Sequence, residues 1–304
     1  MKRRYATADV FTDRRFGGNP LAVVLDAVGL STVQMQSIAR EFNYSETTFV
    51  LPPDDPAHTA KVRIFTPRTE LPFAGHPNVG TAFVMAHEGQ WAGAAANGSV
   101  VFEETAGLVR LQLLREDGVV VGAELRAPEP LSCRSVVSRN SAAACLSLDP
   151  QDIVTGAHAP QVVSVGLPFL VVEVADRETL RRSRPNAVEH EKLLPLDGAD
   201  AVYAYCRSAG ESTTGETVLH ARMFAPLDGV AEDPATGSAN AAAISLLASL
   251  RDGAVAAHSW RIHQGVDMGR ASLLLGRTIT RDGTLAETHI GGRCVRIFDG
   301  SFIF

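Results

Sequence analysis

The chain is written twice, and a duplication restricts the fold more than any single motif, because each copy must be a unit with a core of its own. The stretch "GGNPLAVVLD" (17–26) resembles "VGLPFLVVEV" (165–174), each a Gly-x-Pro turn feeding a β-branched run. "SETTFVL" (45–51) falls opposite "DAVYAYC" (200–206), and "RIFTP" (63–67) matches "RMFAP" (222–226). "FAGHPNVGTAFVMA" (73–86) then matches "PATGSANAAAISLL" (234–247). The order is kept, and the offset between copies drifts only from 148 (Pro20 to Pro168) through 155 and 159 to 162 (Gly75 to Gly237). Small loop insertions in a duplicated unit produce such a drift.

Each copy reads as several short strands, a turn and one helix. Alternating Val, Ile, Thr and Phe, bounded by Gly, Pro and Asp, predict strands over 61–66, 100–102, 108–113, 161–164, 169–174 and 220–224. The helices predicted over about 76–88 and 238–250 are apolar or small almost all round, the pattern of a helix buried on every side. A curled sheet around a central helix satisfies both patterns. Helices over about 32–41 and 177–183 are amphipathic and peripheral, and "AELRAPEPLSC" (123–133), with Pro128 and Pro130, reads as the linker between copies. Two similar domains facing each other leave a cleft, and a cleft is where function is to be sought.

At 304 residues, 45% hydrophobic and 20% charged, the chain has material for two globular domains. A net charge of −6 with scattered Arg and Lys argues against a nucleic-acid partner. The basic start has no apolar stretch behind it, and the longest apolar run, about 239–250, is too short for a bilayer, so no membrane association and a cytoplasmic location are expected. Cys133, Cys145, Cys206 and Cys294 form no CxxC and have no His at ligand spacing, so no metal is expected and all four read as buried, reduced thiols. No GxGxxG, Walker A, GxSxG or HExxH is present, and no lysine is marked as a pyridoxal anchor, so no cofactor is expected.

Chemistry concentrates where the two copies coincide. A buried helix begins with backbone N–H groups that lack intrahelical partners and with the positive end of its dipole. Two such starts, at Gly75-His76 and Gly237-Ser238, occupy equivalent places, and each could hold a carboxylate or enolate. His76, Asp233 and Ser238 stand beside them. Each has an ordinary structural use, Asp and Ser as helix caps and His as a core residue; their coincidence in the repeat favours function. Glu46 opens a Thr/Phe/Val strand where glutamate has poor propensity, and its counterpart is about Ala201, so the strand itself does not require an acid. Partial desolvation and a neighbouring Asp233 would push one of the two carboxyls up and make a proton-carrying acid/base.

The motifs "FGGNPLAVV", "NYSETTFV", "RIFTPRTELPFAGHPNVGTA", "EDPATGSANA" and "HQGVDMGRASLL", collinear over nearly the whole chain, resemble the PhzF family, named for the isomerase of phenazine biosynthesis. The resemblance implies an α+β, diaminopimelate epimerase-like fold of two pseudo-symmetric domains, each a β-barrel-like sheet around a central helix. It places them at 1–127 and 128–294, with strand 295–304 returning to complete the first, and it implies a homodimer. It implies a cofactor-independent isomerase acting on a small carboxylate of the trans-2,3-dihydro-3-hydroxyanthranilate type, with Glu46 moving the proton. Residue by residue, His76 and Asp233 join Glu46 as catalytic groups, and Ser45, Gly75, Gly237, Ser238 and Gln264 bind substrate. Related epimerases and proline racemases use two opposed cysteines at the helix starts; Ala74 and Thr236 stand near those places here, which disfavours two-thiol racemisation. The same residues leave open another conjugated acid as substrate, or a carboxylate-binding protein without turnover.

Overall fold

The structure, a computed structural model, describes residues 2–89, 98–208, 215–251 and 257–303. In chain order come β1 (Lys2–Val10), β2 (Asn19–Val24), α1 (Thr32–Phe42), β3 (Glu46–Leu51), β4 (Ala60–Phe65), β5 (Glu70–Leu71), α2 (Gly75–Glu88), β6 (Ser99–Glu104), β7 (Gly107–Glu116) and β8 (Val119–Arg126). They are followed by β9 (Ser132–Val136), α3 (Arg139–Cys145), β10 (Gln161–Ser164), β11 (Pro168–Glu173), α4 (Arg177–Arg182), α5 (Ala187–Leu193), β12 (Val202–Arg207), β13 (Thr217–Ala225), β14 (Val230–Asp233), α6 (Gly237–Ser249), β15 (Ala257–Gln264), β16 (Ser272–Arg281) and β17 (Thr284–Ile303). The chain forms two compact units, 1–126 with 291–304, and 127–290.

In the first unit the strands close into a ring of eight: β1, β2, β3, β4, β6, β7, β8 and the end of β17, which pairs back onto β1 from Lys2 opposite Ile303 to Val10 opposite Cys294. Closure removes the sheet edges. Helix α2 fills the ring, packing on β1, β2, β3, β7 and β8, and its residues Gly75 to Met85 are all buried. At Gly80 a Cβ would stand 2.6 Å from the Leu21 side chain and 2.7 Å from that of Val10, so only glycine admits these strands so close to the helix. Outside the ring, α1 spans the parallel pair β2 and β3. A capping box between Ser31 and Gln34 starts it, and Asn43 in the left-handed region (φ 53°) stops it. Met35, Ile38 and Ala39 seal its buried face against Val24, Phe49 and Phe65.

The second unit repeats the order. Strands β9, β10, β11, β12, β13, β15 and β16 pair in succession, with β11 to β12 and β13 to β15 parallel like their counterparts in the first unit, and α6 packs on β10, β11, β15 and β16. The register carries the sequence offsets. Ala22 opposite Thr47 becomes Leu170 opposite Val202, Thr48 opposite Ile64 becomes Tyr203 opposite Met223, and Ile64 opposite Leu71 becomes Met223 opposite Asp233. The outer faces of β11 and β12 lie under α3, α4 and α5 in a cluster that includes Leu146, Leu170, Val172, Leu180, Val202 and Phe224. Buried on both faces, these strands read as continuous apolar runs. Each large side chain so buried is worth about 1.5–3 kcal/mol over leaving it exposed.

Three sequence expectations need correction. The linker expected over 123–133 does hold the boundary between the units, after Arg126, but it is shorter than expected: β8 runs to Arg126 and β9 begins at Ser132, and its prolines mark the passage between them. The helices α3 and α5 were not anticipated, because seven residues are too few to show a 3.6-residue period. Cys133 is exposed on β9, four of whose five residues face solvent, whereas Cys145, Cys206 and Cys294 are buried and all four are free thiols. Among the described residues no helix is long and apolar enough to cross a membrane.

Candidate active site

In the first unit Glu46 is the first residue of β3, opposite Leu21 of β2. Two residues on and on the same face, Thr48 hydrogen-bonds Thr81 of α2 at 2.8 Å, so this face of the strand looks at the helix. His76 is the second residue of α2. Its Nε2 lies 3.4 Å from Glu46 Oε2, and its Nδ1 lies 3.4 Å from the Asn19 amide nitrogen. Burial pushes the imidazole down to about 3, against a smaller opposing effect of the Pro20 backbone, so the ring is neutral. A neutral imidazole carries one N–H and one lone pair and can pass a proton without standing as a cation. Of the two side chains Glu46 is the more open, 16% exposed against 6%. Ser45 precedes it, half-buried, at the mouth of the strand.

The helix start itself has no side-chain cap, because the N-cap residue is Ala74. The N–H groups of Gly75 and His76 therefore keep their hydrogen-bonding capacity, and Pro77, the third residue, has no N–H to strand. Asn78 turns its amide back to donate to the Ala74 carbonyl at 2.9 Å, which fixes the turn from inside.

In the second unit Asp233 ends β14, buried, and accepts a 2.5 Å hydrogen bond from the Thr236 hydroxyl. Thr236 is the N-cap of α6, but with its hydroxyl committed to Asp233 it gives the helix no side-chain cap either. Gly237 is the first helical residue and is buried; Ser238, the second, is half-buried. Gln264 sits beneath this turn, fully buried. Its Nε2 donates to the Asp233 carbonyl (2.9 Å) and the Thr236 hydroxyl (3.1 Å), while its Oε1 accepts from the Thr236 N–H (3.2 Å) and from Asn240 Nδ2 (2.6 Å). Two donors and two acceptor sites exhaust an amide. Gln264, for which the resemblance implied a substrate contact, is here engaged as a support for the turn. Its neighbour Gly265 has φ +71°, and a Cβ there would meet the Arg270 and Pro234 carbonyls at 2.5 and 2.6 Å, which explains the Gln-Gly pair. Asn240 repeats the role of Asn78, donating to the Thr236 carbonyl at 2.8 Å, and accepts from the Tyr203 hydroxyl at 2.7 Å.

The structure therefore brings Glu46, His76 and Gly75 together in the first unit, and Asp233, Gly237, Ser238 and Gln264 together in the second. Neither helix start carries a thiol, as Ala74 and Thr236 hold the N-cap places. Sequence reasoning missed the supports Asn19, Asn78, Thr236, Asn240 and Tyr203. The two asparagines were within reach, since they stand at the offset that relates Gly75 to Gly237. Among the described residues no group of His, Cys, Asp and Glu is arranged to hold a metal ion.

Known proteins resemble this chain from end to end. The family model for phenazine biosynthesis-like protein, PhzC-PhzF, matches residues 8–300. An uncharacterized isomerase of Mesorhizobium japonicum is 42% identical, with 98% of each chain covered. The trans-2,3-dihydro-3-hydroxyanthranilate isomerase of Pseudomonas chlororaphis is 35% identical, over 98% of this chain and 99% of that one. Among solved structures, a PhzF-family phenazine biosynthesis protein of Bacillus anthracis superposes with a TM-score of 0.88 at 22% identity over the whole of both chains. A hydroxyproline epimerase of Agrobacterium vitis superposes with a TM-score of 0.62 at 14% identity, covering 99% of this chain and 91% of its own, which speaks for the fold alone.

Proposed function

The chain belongs to the PhzC-PhzF family of phenazine biosynthesis-like proteins and is an isomerase of that type, and from that premise we propose that it moves a proton along a small conjugated carboxylic acid of the trans-2,3-dihydro-3-hydroxyanthranilate kind, with Glu46 as the carrier. The observation that carries the reading is Glu46 beside a neutral, buried His76 at an uncapped helix start. Glu46 takes a proton from a carbon next to the conjugated system, the electron pair of that C–H bond enters the system, and the proton returns to a carbon further along. One C–H bond breaks and one forms, so the step needs no oxidant or reductant. His76 shares the proton with Glu46, and the N–H groups at Gly75 stabilise the negative charge that develops. In the first unit Ser45, beside Glu46, is the group we assign to holding a polar end of the substrate; in the second unit we assign to Asp233, Ser238 and the N–H groups at Gly237 the capacity to hold a polar group at their own helix start. One positioned carboxylate supplies roughly 10²–10⁴-fold, and positioning and charge stabilisation supply the rest.

The 42% identical relative carries no substrate in its name, which favours keeping a second conjugated acid in view. Free cysteines support a reducing, cytoplasmic setting, and the family resemblance supports a homodimer, which light scattering would check. The test of the function is conversion of trans-2,3-dihydro-3-hydroxyanthranilate, followed by NMR, with the wild type and Glu46→Gln. Conversion by the wild type alone is the expected result. Binding without conversion by the wild type would move the search to other acids, and equal rates would remove Glu46 from the mechanism.

A further inference from the structure

A buried amide supports the second helix start, and a buried carboxylic acid occupies the same place beneath the first. The strand registers establish the correspondence. Lys61 lies opposite Glu103 in the parallel pair β4 and β6; its counterpart His220 lies opposite His263 in β13 and β15, so the next residues, Glu104 and Gln264, are equivalent. Their helix partners are equivalent too, for Asn78 and Asn240 each donate to the N-cap carbonyl of their own helix, at 2.9 and 2.8 Å. The hairpin that carries Glu104 abuts the turn before α2, where the Ala106 N–H donates to the Pro72 carbonyl.

We propose that Glu104, in its protonated form, is the positioning residue for the turn that carries Gly75 and His76, acting through the Asn78 amide from the place that Gln264 takes in the second unit, and that its ionisation releases that turn and sets an alkaline limit on turnover. The proposal rests on the reading that Gly75 and His76 belong to the active site. A protonated carboxyl has a donor on one oxygen and an acceptor on the other, the pattern an amide presents; a carboxylate has acceptors only. Gln264 donates to the Asp233 carbonyl and accepts from the Thr236 N–H. Glu104 makes neither bond in this structure; the side chain that acts on its carboxyl is Asn78, whose Nδ2 holds the Ala74 carbonyl. An ionised Glu104 would offer only acceptors to the Asn78 oxygen, whereas the acid form can donate to it. Both carboxyl oxygens of Glu104 and the Oδ1 of Asn78 are buried without a hydrogen-bond partner among the described residues. Asn240 Oδ1, by contrast, is satisfied by Tyr203, whose place in the first unit is taken by Thr48, already bonded to Thr81. An acid hydrogen is what this corner lacks.

Among the described residues no cation acts on the carboxyl. The charged residues on the surrounding elements are engaged with one another: Lys61 of β4 with Asp54, Arg63 of β4 with Glu70 of β5, and Glu103 of β6 with His58 and the N–H groups of Asp54 and Asp55. From α2 the groups near the turn are neutral His76 and the Asn78 amide. Burial accordingly pushes Glu104 up to about 8, with a smaller pull downward from Asn78.

The test combines a ¹³C titration of the glutamate carboxyls, assigned with Glu104→Gln, and the ¹⁵N amide shift of Gly75, with turnover measured across the same pH range. The expected result is a Glu104 transition near 8 that the Gly75 amide follows, and a wild-type kcat/KM that falls roughly tenfold per pH unit above it while Glu104→Gln holds its plateau. A Glu104 transition in the ordinary carboxylate range overturns the proposal. So does a raised transition that leaves both the Gly75 amide and the difference between the two pH profiles unmoved. If the wild type fails to convert trans-2,3-dihydro-3-hydroxyanthranilate, the substrate reading fails, and the Gly75 shift in wild type against Glu104→Gln still decides the role of Glu104.

Discussion

At the start of α6 every hydrogen-bonding position of the supporting Gln264 amide is used, and Asn240 is closed off by Tyr203; at the start of α2 the equivalent support is a carboxyl without a partner, and the equivalent asparagine has one oxygen to spare. The first start also carries the pair Glu46 and His76, whose second-unit counterparts by register and offset are Ala201 and Ser238. The duplicated unit therefore has a fully satisfied support beneath one helix start and an unsatisfied carboxyl beneath the other. The lesson is one of division: the fold repeats, and the hydrogen-bond satisfaction beneath the two helix starts does not; the proposed proton chemistry belongs to the start with Glu46 and His76.

The largest effect expected from breaking this asymmetry is in the Glu46 half. Glu46→Gln lowers kcat by about 10²–10⁴-fold while KM changes little, as steady-state kinetics would show. In the other half, Gln264→Leu leaves the Asp233 carbonyl, the Thr236 N–H and the Asn240 amide with buried groups unpaired, and urea unfolding should register a loss of about 3 kcal/mol.

Three further substitutions exchange the character of the halves through pH. Glu104 binds its proton up to about 8 when folded and to about 4.5 when unfolded, so its contribution to stability is present below the lower value and is lost as pH rises through the window. His76 has the opposite sign: neutral down to about 3 when folded and to 6.5 when unfolded, it favours the fold at the upper value and loses that contribution as pH falls toward the lower. Each slope approaches about 1.4 kcal/mol per pH unit, and between 4.5 and 6.5 they oppose one another. Glu104→Gln should make Tm climb with pH across that interval, His76→Gln should make it fall, and Gln264→Glu should import the falling slope into the second unit. The smallest effect belongs to Tyr203→Phe, which strands the Asn240 oxygen and should cost about 1 kcal/mol without touching the pH profile.

Much of the fold was legible because the repeat and the strand ladders carry the same information. The offsets of 148, 155, 159 and 162 reappear as cross-strand partners, and the predicted central helices over 76–88 and 238–250 differ from α2 by one residue at its start and from α6 by one residue at each end. What stayed hidden was short or internal to a network. Helices α3 and α5 show no period in seven residues, and β5 has only two. The role of Gln264 could not be read, since a glutamine beside a glycine looks alike whether its amide meets a ligand or four protein groups. Glu104 carried a signal that went unused: it ends a strand as Gln264 does, at nearly the same offset as the rest of its copy.

The central claim is that the first half carries the proton on Glu46. It is tested most directly by reacting trans-2,3-dihydro-3-hydroxyanthranilate in D₂O with the wild type and with Glu46→Gln and locating deuterium in the product by NMR. The account predicts deuterium at the carbon that receives the proton with the wild type and none with Glu46→Gln. Deuterium incorporated equally by both proteins would contradict it.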